Sequence, residues 1–134
     1  MRGIKAITLW QPWASMVAAG LKKYETRGWA TNYRGPLAIH SSIKPIAEKY
    51  AKQLGKYGFE AANLPLGKVL CVCELTDCAL MTEDLIAAQS ETEIDWGDWA
   101  PGRFAWKLEN VRVLPAPAPA KGHQGLWNWN DENQ

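Results

Sequence analysis

Short segments with strand-like patterning, each broken by turn residues before a long helix can form, constrain this chain most. GIKAITLW alternates apolar and polar residues up to Trp10, and RFAWKLENVRVL alternates again, with a turn expected at Glu109-Asn110. A period of two over this length is the pattern of a half-buried strand. PLAIHSS carries an apolar face, KKYETRGW reads as a short extended segment, and GLWNW reads as a closing strand. LPLGKVLCVCELTDCALM contains the longest expected strand, in the middle of the sheet. Within it Cys71 and Cys73 stand two apart, so they share one face and point into packing. With Cys78 they are read as structural thiols, because neither His40 nor His123 is near enough in sequence to complete a metal site.

Helices are short by comparison. Pro12 suits a first helical turn, where its missing N–H is no loss, and the helix through ASMVAA stops at Gly20. A second helix is expected from Pro45. Ile46, Tyr50, Leu54 and Tyr57 fall at helical spacing as a buried stripe. Lys49, Lys52 and Lys56 form a separate basic stripe, either a solvated face or a track for phosphates. Thr82 caps a short third helix whose first turn holds Glu83 and Asp84. ETEIDWGDWAPG reads as an acidic, aromatic surface loop, and PAPAPAKG as a proline-rich connector. Strands with short interposed helices give one α+β domain over residues 1–134, built on a small curved mixed sheet or barrel.

The 134 residues are enough to bury a core, and no apolar run approaches the roughly 20 residues of a membrane span. Gln11 and Pro12 interrupt the only candidate signal-peptide core, so the expectation is a cytoplasmic protein with no membrane contact. Net charge is +1, but it is segregated. Residues 1–70 hold eleven Lys/Arg against three Asp/Glu, and residues 71–134 hold four against eleven. Such a chain can present a basic face to an anion. The modest net charge favours a small ligand or short strand over long duplex.

The pattern G-x-K-x-x-E-x-R stands here as Gly20, Lys22, Glu25 and Arg27, preceded by LWQPWA and followed by YRGPLAIHSS. With LPLGKVLCVCELTDC, WAPGRFAWKLENV and QGLWNW, it resembles the ASCH-domain family, a branch of the PUA-like superfamily, over essentially the whole chain. The resemblance implies a PUA-like small β-barrel flanked by short helices, with a cleft for RNA. Some members are single-strand ribonucleases. Others are small amidohydrolases that deacylate N4-acetylcytidine with a lysine, a threonine and a glutamate, and related PUA-like domains read modified bases. Carried over, Lys22 and Arg27 match the family lysine and arginine. Glu25 stands where the amidohydrolases carry threonine, with Thr26 adjacent, and their glutamate falls near Glu91 or Glu93. The glutamate at position 25 departs from the amidohydrolase pattern.

The residue chemistry fits such a cleft. Trp10 ends a strand and Trp13 lies in the first helical turn, so their rings are candidates to stack a base. Arg27, Lys23 and Lys22 are candidate phosphate contacts, and Glu25, held ionised by these cations, is a candidate base or anchor. Lys22 and Glu25 are three apart, so both reach one cleft only if Lys22 still belongs to the turn after Gly20. Arg34 in the YRG turn, Ser41, and Arg103 after Pro101-Gly102 are further contact candidates, and His40 a candidate proton carrier. Lys22, Glu25 and His40 are thus the catalytic candidates. No metal or cofactor is implied. Three readings follow: a binder of single-stranded RNA or a modified nucleotide, an enzyme on the same pocket (ribonuclease or amidohydrolase), or a protein-interaction module using residues 91–99, with an unknown partner.

Overall fold

In the computed structural model, which describes residues 3–130, the alternation of IKAITL becomes strand β1 (Ile4–Leu9). Its Ile7 and Leu9 face one core and its Ala6 another, as a period of two requires. Helix α1 (Trp13–Ala18) follows Pro12. Proline cannot cap a helix with a side chain, and the buried Gln11 serves instead: its Oε1 accepts the Ser15 N–H at 2.9 Å and its Nε2 donates to Ser15 Oγ at 2.7 Å. The chain turns at Gly20, which has φ +78°, and the Leu21 and Lys22 amides both donate to the Met16 carbonyl. Lys22 therefore stays in the turn, and β2 (Tyr24–Arg27) begins after it.

Strand β3 (Gly35–Ser41) pairs in parallel with β1, from Lys5↔Leu37 to Leu9↔Ser41. Parallel neighbours need a crossover, and the segment containing α1 and β2 provides it. Strands β4 (Lys68–Leu80), β5 (Phe104–Pro119) and β6 (Leu126–Trp129) complete one six-stranded sheet in the order β2-β5-β4-β3-β1-β6, all other pairings being antiparallel. The sheet is not closed, since β2 and β6 remain at its two ends. The expected PUA-like α+β class takes the form of an open mixed sheet with a few short helices.

The main core lies between α1 and one sheet face, where Ala14 and Val17 meet Ile7, Leu37, Ile39, Cys71, Cys73, Leu75 and Trp106. All three cysteines are free thiols, and burial pushes Cys71 and Cys73 up to about 12. Ala6, Ala38, Val69, Trp127 and Trp129 form a smaller core on the other face.

Four expectations are corrected. The longest strand is β5, with 16 residues, against 13 in β4. There is no break at Glu109-Asn110; the strand continues, and Asn110 absorbs the irregularity at φ +53°, a left-handed position that asparagine tolerates better than most residues. The proline-rich segment is not a free connector but the end of β5. Leu114 to Pro117 stand opposite Leu70 alone in a wide register shift, where prolines forfeit no ladder hydrogen bond. The second helix is only one turn, α2 (Glu48–Ala51), followed by 3₁₀ turns at Leu54–Tyr57 and Ala61–Asn63. Its apolar stripe nevertheless packs as expected: Ile46, Tyr50, Leu54 and Tyr57 join Met16 and Trp96 in a third cluster. Thr82 caps α3 (Glu83–Ala87) by accepting the Leu85 N–H at 3.1 Å. No helix among the described residues is long and apolar enough to cross a membrane.

Candidate functional site

The segment expected as an acidic loop is in part a helix, α4 (Glu91–Asp95), and it carries one wall of the site. Ser90 caps it by accepting the Glu93 N–H at 3.2 Å. The helix turns Glu93 and Trp96 inward, and Trp99 donates back to the Glu93 carbonyl at 2.9 Å. The Asp98 N–H donates to Thr26 Oγ1 at 3.1 Å, tying this segment to β2. The segment expected as an acidic, Trp-rich surface loop thus turns Glu93 and Trp96 inward, while Glu91, Asp95 and Asp98 stay exposed.

Between this wall, β2 and the end of β1 lies a cleft of about 750 Å³. Trp10, Trp13, Trp29, Trp96 and Tyr50 supply aromatic surface; Glu25, Arg27, Asp95, Asp98 and Arg103 supply charge. The aromatic wall is interlocked. Trp13 meets Tyr50 edge-on at 4.8 Å and Trp96 at 5.9 Å, and its Nε1 donates to the Trp96 carbonyl at 2.6 Å. Trp29 packs edge-on against the buried Trp106 at 4.8 Å while staying 40% exposed. Trp10 is 55% exposed.

Glu25 and Arg27 share a face of β2 and form an ion pair, Arg27 Nε to Glu25 Oε2, at 2.7 Å. Arg27 Nη2 also donates to the Thr8 carbonyl at 3.1 Å, which fixes the guanidinium between β2 and β1. Burial pushes the Glu25 carboxyl above the usual carboxylate range, against the opposing pull of Arg27 and then Lys22. The neighbouring cations thus pull on the Glu25 carboxyl as expected, and the loss of water on burial outweighs them in direction. Arg103 is held by Asp98, through Nε to its carbonyl at 2.8 Å and Nη2 to its carboxylate at 3.5 Å.

Lys22 sits apart from the lining. It is 3% exposed, and its ammonium is paired with the Glu93 carboxylate, whose other oxygen accepts the Lys23 and Tyr24 amide N–H groups. Of the two glutamates near the family position, Glu93 is thus the one that meets Lys22. The pair anchors α4 to the start of β2, and its charge reaches Glu25 from behind the cleft.

The structure brings Trp10, Trp13, Glu25, Arg27 and Arg103 together and sets the other candidates elsewhere. His40 is buried on the opposite sheet face: Nδ1 lies 3.1 Å from Thr8 Oγ1, Nε2 lies 2.7 Å from the Ala120 carbonyl, and the ring meets Trp127 edge-on. Burial lowers its pKa. Ser41 is fully buried and exchanges hydrogen bonds with the Lys68 backbone. Arg34 is bound to the Thr31 and Tyr33 carbonyls near Asp77, and Lys23 points to solvent outside the cleft. The expected cleft position of these four is corrected; strand alternation sends His40 away from the α1 face on which Leu37 and Ile39 lie.

Trp29, Tyr50, Thr26, Trp96 and Asp98 were missed by sequence reasoning. The period of two joining Glu25 to Arg27 extends to Trp29, so that residue was legible. Thr26 lies in β2 itself, between Glu25 and Arg27, and Tyr50, Trp96 and Asp98 arrive from distant segments. Among the described residues no group of His, Cys, Asp and Glu is arranged to hold a metal.

A profile of the ASCH domain matches residues 7–117, which include the Gly20–Arg27 pattern and all of the cleft lining. The chain belongs to the ASCH-domain family. It is 26% identical over 129 residues to human activating signal cointegrator 1, covering 90% of this chain, and 26% identical over 130 residues to the mouse protein. It spans only about a fifth of those proteins, 21% of each. The crystal structure of ASCH from Zymomonas mobilis superposes with a TM-score of 0.60 at 15% identity, covering 96% of this chain and 88% of that one, so this ASCH domain has the same fold.

Proposed function

We propose that this ASCH domain binds single-stranded RNA or a single modified nucleotide by taking a base into the Trp-lined cleft. The observation that carries this reading is the convergence of five aromatic side chains with the Glu25–Arg27 pair in one cleft of about 750 Å³. Pockets for small ligands are of this size and set aromatic surface beside fixed polar groups, and here the polar share of the wall is large. Stacking on an aromatic face is worth about 1–3 kcal/mol per base and tolerates any base. Arg27 donors and the Glu25 carboxyl, held against each other, offer a polar edge against which a base can be read.

A hydrolytic second reading has one observation in its favour, the raised pKa of Glu25, which suits a proton-transfer group. With His40 on the far face and Lys22 buried in its own ion pair, Glu25 is the group in the cleft best suited to that role. Ribonuclease and amidohydrolase activity both rest on it.

The test is fluorescently labelled single-stranded RNA, followed by anisotropy and by fragment length on a gel, with N4-acetylcytidine hydrolysis assayed in parallel. Trp10→Ala is expected to weaken RNA binding by about tenfold or more, corresponding to the stacking energy above. Because Trp10 is already half exposed, this variant keeps the fold. Binding unchanged in Trp10→Ala, or absent in wild type, overturns the base-in-cleft reading. Fragments or deacylation lost in Glu25→Gln, with binding retained, makes the domain an enzyme; binding without turnover makes it a reader.

A further inference from the structure

Within the cleft, cations are outnumbered and engaged. Two arginines face three carboxylates, Glu25, Asp95 and Asp98. Arg27 is paired with Glu25 and the Thr8 carbonyl, and Arg103 with the Asp98 carbonyl and carboxylate. A phosphate brought to either guanidinium meets a carboxylate already in place, and bringing like charges together in a half-buried site is costly.

Cations without carboxylate partners stand just outside. Lys44 Nζ lies 3.4 Å from the centroid of the Trp10 ring and Lys49 Nζ 4.9 Å from that of Tyr50. Both rings line the cleft and neither lysine does. Both lysines are exposed, and neither forms an ion pair among the described residues. Lys52, on the same segment, is instead paired with Glu48 at 3.6 Å. An exposed cation–π contact is weak, so it orders the ammonium at the rim yet yields readily to a phosphate. Farther along the segment Lys56 lies 5.1 Å from the Tyr57 ring, continuing the same arrangement away from the cleft.

We propose that Lys44 and Lys49 hold the phosphates flanking the bound base, at the mouth of the cleft, while the arginines inside do not. This rests on the nucleotide-binding reading above and assigns the ligand's charge to residues outside the lining. It makes the preferred ligand one that carries phosphate on an inserted base, a nucleotide or short single strand in place of a free nucleoside. Lys56 continues the line of ring-held ammonium groups along the segment, and Lys52, paired with Glu48, takes no part in it.

Intrinsic tryptophan fluorescence is titrated with the four common nucleosides, their 5′-monophosphates and short homopolymeric RNAs over a series of salt concentrations. Wild type, Lys44→Ala/Lys49→Ala, a Lys44→Gln/Lys49→Gln version and Lys52→Ala are compared. Both double variants are expected to keep the nucleoside affinity and lose most of the preference for phosphorylated ligands. For RNA, the slope of log affinity against log salt should shrink by about 0.7 per lost phosphate contact, about 1.4 for both. Lys52→Ala should match wild type. Slopes and preferences unchanged in the double variants, or lowered equally in Lys52→Ala, overturn the assignment while leaving the base site intact. If neither nucleosides nor RNA bind wild type, or RNA binding is unaffected by Trp10→Ala, the nucleotide reading itself fails and the assignment with it.

Discussion

Replacing Lys22 by methionine removes one half of the buried pair that joins β2 to α4. Glu93 is 5% exposed and Lys22 3%, so the carboxylate left behind has little access to water. Removing one partner of such a pair costs about 3–5 kcal/mol, chiefly because the remaining charge stays buried alone. Against a typical domain stability of about 5–15 kcal/mol, that is a large share. In a domain of this length it amounts to a fall in Tm of roughly 10–20 °C. Glu93→Gln strands the Lys22 ammonium in the same way, but its amide oxygen still accepts the Lys23 and Tyr24 N–H groups that Glu93 Oε2 now holds. The double variant Lys22→Met/Glu93→Gln removes both charges and keeps that acceptor, so it should be more stable than either single variant. Urea unfolding followed by tryptophan fluorescence measures all four proteins as a double-mutant cycle. If Lys22→Met costs less than about 1 kcal/mol, the value of an exposed pair, the contact is solvated and the reasoning fails. Lys22 would then be free to act on a ligand.

Three further outcomes are expected. A Cβ at Gly122 would lie 2.7 Å from both His40 Cε1 and Thr8 Oγ1, so Gly122→Ala should destabilise by about 1–3 kcal/mol through overpacking, measured by urea unfolding. His40 has its folded pKa lowered by burial, so the unfolded chain takes up its proton first; the stability it confers is complete above about pH 6.5 and is lost as pH falls through the folded value. An NMR titration placing the His40 midpoint at or above 6.5 would contradict this. Thr82→Ala removes the oxygen that accepts the Leu85 N–H and should cost about 1 kcal/mol in the same unfolding assay, with the cleft and ligand affinity unchanged.

The His40 surroundings also fix its neutral form. The Trp127 Nε1 can only donate to Thr8 Oγ1, at 3.1 Å, and the Ala120 carbonyl can only accept from His40 Nε2. The Thr8 hydroxyl is left to donate to Nδ1, giving a continuous chain from Trp127 through Thr8 and His40 to Ala120. These partners identify the tautomer, and they occupy both ring nitrogens in holding β1, β3 and the segment before β6 together. A lone histidine at the end of an apolar strand is here a bonded structural group.

Local pattern alone determined a good deal. Alternation located β1 and the start of β5; the apolar face of PLAIHSS marked β3 and GLWNW marked β6; Gly20 marked the turn after α1; Thr82 marked the cap of α3. The spacing of Gly20, Lys22, Glu25 and Arg27 carried the family resemblance and put Glu25 and Arg27 on one face. These are properties of chain geometry within a few residues, where side-chain period and turn chemistry leave few alternatives. Only the tertiary structure decided the rest. It made a helix of residues 91–95, which bear the acidic side chains of an exposed loop, because Ser90 caps it and Lys22, far away in sequence, takes Glu93. It broke the second helix while preserving that helix's apolar stripe, since packing against Met16 and Trp96 selects side-chain positions and not helical continuity. It turned Lys22 inward and His40 to the far face, and gathered Trp10, Tyr50, Trp96 and Arg103 around β2. Each of those outcomes depends on contacts between residues tens of positions apart, whose burial sets the charge state and exposure of every group in the cleft.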